Sequence, residues 1–127
     1  MRPVAAAAVG VIAAVLVSGA AEAMTVREFL VIADRLPQNA SAVLRADGRR
    51  LVNEVTGAVR ALKAEQAAAL RAGRQPAHCI PPRGTGISAR ALVTRFRAMP
   101  PDQRDVSVTQ ALREWMAERH PCGSRSA

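Results

Sequence analysis

Two short stretches hold the residues best suited to chemistry. His78 stands beside Cys79, and His120 lies two positions before Cys122. The chain has two histidines and two cysteines, so these stretches contain all of them. Three chemistries use such a set. A reduced thiol next to an imidazole makes a nucleophile. Two His and two Cys can hold zinc when the ligands of a pair lie roughly two to four residues apart. Two thiols in an oxidising compartment make a disulfide. Adjacent side chains point in different directions, so His78 and Cys79 are badly placed to share one ion. The compartment decides between the thiol and the disulfide.

The N-terminal residues bear on the compartment. Met1-Arg2-Pro3 is a short positive start, and Val4 to Val17 is an uncharged run of Ala, Val, Ile, Leu and Gly. Ala21-Glu22-Ala23 fits the small-x-small rule for signal peptidase. This predicts a signal peptide helix over residues 1–23, cleaved after Ala23. The apolar run of about 14 residues is shorter than the roughly 20 needed to span a bilayer. Membrane contact is therefore expected only through the signal peptide before cleavage, and the periplasm is the expected destination. There, Cys79 and Cys122 are expected to pair. A link closing about 43 residues is worth about 4 kcal/mol in the chain-entropy picture.

Other chemistry is thin. Glu114 and Glu118 are four apart on one predicted helix, beside Arg113 and Arg119, which is the pattern of surface ion pairs. Arg83-Gly84-Thr85-Gly86 lacks the Gly-Lys-Ser/Thr ending of a phosphate loop. No catalytic residue, metal or cofactor is expected, and no enzyme. The chain has 127 residues, 18 Lys+Arg against 10 Asp+Glu, and a net charge of +8. Charge of that sign permits an acidic partner. Aromatics are only 2%, however, so the stacking platforms of single-strand binders are missing and no nucleic acid is expected.

The elements that must position these residues all read at helical period. The first covers about residues 25–36, with Val26, Phe29, Leu30 and Ala33 on one face and a Thr25–Glu28 capping box. The second covers about 41–72, with a stripe of Leu44, Leu51, Val55, Ala58 and Leu62. Asp47-Gly48 and Gly57 are break signals within it, so it reads as one kinked helix or two shorter ones, and Gly73 reads as its cap. A Pro- and Gly-rich loop follows from Arg74 to Gly86 and is expected at the surface. A third helix starts at the N-cap Ser88 and ends before Pro100. A fourth starts near Asp105 or Ser107 and ends near Arg119. Val108, Ala111, Leu112, Trp115 and Met116 form its core-facing stripe. The last two helices read as a hairpin whose two ends the disulfide ties together. The expected fold is all-α, a small bundle of four or five helices over residues 24–122 with one disulfide, followed by a loose tail over 123–127.

The ordered set Cys79-Ile80-Pro81, Ala91 to Phe96, Met99-Pro100, Ala111-Leu112-Arg113-Glu114-Trp115 and His120-Pro121-Cys122 resembles the C-terminal part of the Rap/Tai family of type VI secretion immunity proteins. The resemblance covers about residues 79–122. It implies a small, exported, helical protein that binds an injected peptidoglycan-amidase toxin in the periplasm and occludes its active site. The implied partner is a protein, and a homodimer is an assembly it allows. The resemblance places no inhibitory residue. The exposed loop, with Pro81, Pro82, Arg83, Gly84 and Thr85 at its centre, is the physical candidate for insertion into a cleft. A second, shorter likeness joins Thr25 to Leu30 with the opening of HdeA-like acid-stress chaperones of the periplasm, with Val26 where those carry a cysteine. It implies exposure of apolar surface at low pH.

Overall fold

The computed structural model describes residues 23–123. The expected signal peptide, up to residue 22, and the tail beyond residue 123 lie outside the described residues. Four α-helices and two short 3-10 helices follow one another: α1 (Val26–Asp34), η1 (Ala40–Leu44), α2 (Ala46–Arg71), α3 (Ala89–Ala98), η2 (Pro101–Gln103) and α4 (Val108–Arg119). The protein is an all-α bundle with one disulfide, and the described residues include no strand.

Local sequence sets most of the boundaries. The hydroxyls of Thr25, Ser88 and Ser107 accept the backbone N–H of Glu28, Ala91 and Gln110, which caps α1, α3 and α4. α2 ends in a paired cap. Gly73, at φ 70°, donates its N–H to Leu70, and the Arg74 N–H reaches back to Ala69. That double bond satisfies carbonyls which a helix end otherwise leaves open.

The second predicted stretch divides, though not at its glycines. Arg45 is extended (φ −83°, ψ 149°) and separates η1 from α2, which then runs through Gly57 without a break. Gly48 has a packing role instead. A Cβ built on it would lie 1.8 Å from the Ala42 carbonyl oxygen, so η1 can lie against α2 only because nothing projects there. Leu44 departs from the expected stripe for the same reason. It belongs to η1 rather than to α2 and is 74% exposed.

One apolar cluster joins all four helices. Val26, Phe29 and Leu30 from α1, Leu51, Ala58 and Leu62 from α2, Leu92 and Phe96 from α3, and Val108, Leu112 and Met116 from α4 are all buried. α2 packs chiefly against α4, and α3 packs on α1. The expected hairpin of the last two helices is therefore open. Their backbones hardly approach, and a side-chain bridge joins them instead. Arg95 of α3 lies 4.9 Å over the Trp115 ring and pairs with Glu118 of α4 at 2.7 Å. α2 and α3 also stand apart, which leaves a groove between them. At the other end of the bundle the starts of α1 and α4 are stitched together. Val26 N–H donates to the Val106 carbonyl at 2.9 Å, and Val108 N–H donates to the Met24 carbonyl at 2.8 Å.

Candidate functional site

The loop between α2 and α3 is braced from several sides. Cys79 and Cys122 are bonded, with their Cα atoms 5.1 Å apart, so a disulfide holds the middle of the loop to the residues just past α4. The Cys79 N–H adds a hydrogen bond of 2.8 Å to the His120 carbonyl. Gln75 donates from its side chain to the Cys122 carbonyl.

A second brace comes from α2. The Gln66 amide meets both main-chain groups of Ile80: its oxygen accepts the Ile80 N–H at 2.7 Å, and its nitrogen donates to the Ile80 carbonyl at 3.1 Å. A third comes from the end of α4. Arg119 donates to the Thr85 carbonyl at 3.0 Å and to the Gly86 carbonyl at 2.9 Å. His120 Nε2 donates to the Thr85 carbonyl at 2.8 Å. Between these fixed ends, Pro81 to Gly84 forms a turn closed by the Gly84 N–H on the Pro81 carbonyl at 3.0 Å. Pro82 and Arg83 are exposed at its tip, and Pro81, Gly84 and Thr85 are half-buried. The five predicted loop residues thus form one small platform beside the disulfide. Arg83 makes no ion pair among the described residues.

The loop as a whole is less exposed than its composition predicts. Pro76, His78 and Ile80 alternate inward and are buried. His78 is the correction of most consequence. It is a loop residue beside the disulfide, but in a loop expected at the surface it has only 1% of its own surface exposed. Its Nδ1 lies 3.3 Å from the Gln66 oxygen, which can only accept, so Nδ1 carries the hydrogen. Nε2 then faces Glu65 Oε2 at 4.0 Å. Glu65 is already engaged, accepting from Arg113 at 2.6 and 3.0 Å. Those bonds hold the Glu65 carboxyl below its ordinary value. Burial pushes the His78 imidazole below its ordinary 6.5, and the pull of Glu65 only partly offsets it.

The sign for stability follows. The unfolded chain binds the His78 proton more readily than the folded chain does. The contribution of His78 is therefore complete above about pH 6.5 and is lost as pH falls from there through the depressed folded value. We expect the melting temperature to fall between pH 7.5 and pH 5 and the H78Q protein to lose most of that slope. Thermal melts of both proteins followed by circular dichroism test this. An equal slope in H78Q would assign the effect to other groups.

The remaining candidates have other partners than expected. Arg113 serves Glu65 rather than Glu114, and Glu118 pairs with Arg95 rather than Arg119. Glu114 accepts from Gln110. Trp115 packs partly against the core and is covered by Arg95. Among the described residues, no group of three or more His, Cys, Asp and Glu side chains could hold a metal ion, and no helix is long and apolar enough to cross a membrane. Gln66 was not singled out in the sequence. Its position on the polar flank of an Ala-rich helix carries no signal of a partner 14 residues away.

No family model matches the chain, and no curated protein or solved structure is significantly similar to it. The Rap/Tai resemblance therefore rests on the ordered residues between Cys79 and Cys122.

Proposed function

We propose that this is an exported binding protein that acts by occlusion, inserting the Pro81–Thr85 platform into the cleft of a partner protein. The partner class comes from the Rap/Tai resemblance: a cell-wall amidase toxin met in the periplasm. One observation carries the reading. An exposed turn with a Pro-Pro start and an unpaired arginine is held at both ends by a disulfide and two side-chain clamps. A loop fixed before binding loses little entropy on binding, which is how a small surface gains affinity. The inhibition is steric, with no turnover.

The test is a pull-down of the oxidised protein from periplasmic and secreted extracts, with partners identified by mass spectrometry and assayed for amidase activity. One stoichiometric partner whose activity falls on binding is the expected result. R83E, which alters an exposed side chain without an internal ion pair, should weaken that complex by roughly tenfold or more while the melting temperature stays unchanged. Full inhibition by R83E would remove the loop from the contact.

An acid-stress chaperone is the second reading, and buried His78 supports it. A neutral imidazole in the core weakens the fold as pH drops. Capture of many clients at acid pH alone would replace occlusion with that role.

A further inference from the structure

The gap between α2 and α3 is an open, apolar groove of about 690 Å³. Its α2 wall is a stripe: Gly48, Leu51, Val52, Val55, Thr56 and Val59. That stripe runs three turns, about 16 Å along the axis. Phe29, Ala33, Leu92 and Leu112 form the floor. Leu36 and Pro37 also line the groove, as do Ala42 and Val43, which lie against Gly48 where η1 meets α2. Val43 and Val52 are 55% and 49% exposed, so apolar surface faces water here.

The α3 wall differs. It carries Val93 flanked by Arg90 and Arg97, and the groove lining contains these two arginines and no carboxylate. Arg90 has no ion-pair partner among the described residues. Arg97 meets Asp34 through one nitrogen at 2.7 Å and keeps further N–H donors. The two are seven residues apart, so they stand two turns, about 10.5 Å, from each other along α3.

We infer that this groove is the docking site for an amphipathic helix of a partner protein, with acidic residues seven apart on its flank. The groove has the length of three helical turns and lies where the bundle lacks a packed neighbour. Apolar side chains of the guest fill the stripe, and its two carboxylates meet Arg90 and Arg97. The charge pattern sets the occupant. The chain's own apolar segment from Val4 to Val17 carries no carboxylate, and a second copy brings a net charge of +8 against the same arginines. A fatty acid has one head group and would serve one of the two. The inference stands apart from the occlusion reading, because it needs neither the loop tip nor an amidase.

The probe is a synthetic peptide of about 14 residues, long enough for the three turns, with Leu and Ala on one face and Glu at two flank positions seven apart. Its binding to the oxidised, isotope-labelled protein is followed by amide chemical shifts. Shifts confined to the two groove walls are expected. The same peptide with Gln for Glu should bind roughly tenfold more weakly. V52D, at an exposed wall position, should abolish the shifts without lowering the melting temperature. R90E should turn the preference from the Glu peptide to one carrying Lys. Equal binding of the Glu and Gln peptides would overturn the inference, as would shifts outside the groove. So would palmitate taking the groove while the peptide does not, or self-association that V52D removes. Full inhibition by R83E with peptide binding intact would leave this inference standing and confine the failure to the loop.

Discussion

Replacing Cys79 and Cys122 with serine should lower the unfolding free energy by about 4 kcal/mol, the chain-entropy value for a loop of this length. The bond joins residues 43 apart in sequence whose backbones already meet, since the Cys79 N–H bonds to the His120 carbonyl. Folded geometry is thus compatible with the link, and its main effect falls on the unfolded chain, which gains freedom when the link is cut. A domain of this size has roughly 5–15 kcal/mol in all, so the variant should keep its helices at room temperature and melt far earlier. Urea unfolding of the double variant, and of the native protein with and without reductant, measures the effect. The midpoint should fall, and the slope should rise because the unfolded chain becomes more expanded. A loss below about 1 kcal/mol would mean that the unfolded chain stays compact around these two positions without the link.

The second large effect is expected at Phe96. Its side chain is 1% exposed and meets Phe29 edge to face, with ring centroids 5.2 Å apart. Phe96→Ala should cost about 3–5 kcal/mol, towards the upper end of that range. The composition explains why. The chain contains two Phe, one Trp and no Tyr, and the neighbouring ring, Phe29, is itself buried in the core, so there is little large apolar surface in reserve to fill the space. α3 buries only Leu92 and Phe96, and losing one of two anchors frees the helix from α1. Phe96→Leu keeps most of the volume and should cost less, about 1–1.5 kcal/mol. Urea unfolding of both variants gives the ratio. Equal costs would mean that ring packing with Phe29 matters more than the volume lost.

The parts of the fold that could be read in the sequence are those written in neighbouring residues. Thr25, Ser88 and Ser107 cap their helices by bonding three residues ahead, and Gly73 closes α2 through its own backbone. The α4 stripe of Val108, Ala111, Leu112 and Met116 is buried as its spacing predicts. The disulfide could be read because only two cysteines exist to make one. The features that could not be read depend on distant partners. Gly48 looks like a helix breaker until Ala42 is seen lying against it. His78 sits among prolines and looks exposed, yet the Gln66 oxygen and α2 enclose it. Glu118 and Arg95 find each other across helices rather than along one. The turn at Pro81 to Thr85 was legible from its Pro and Gly chemistry, whereas its bracing and the partial burial of Pro81, Gly84 and Thr85 were not.

The Gln66 contact has a consequence for how the loop can change. A side-chain amide that pairs with the main chain of Ile80 recognises a peptide group, which every residue except proline offers in full. Arg119 and His120 likewise take hold of carbonyls. The mounting of the loop is thus indifferent to the side chains at Pro82 and Arg83, and those positions are free to present new shapes and charges on an unchanged base. A molecule built this way can change its tip one substitution at a time without renegotiating its fold.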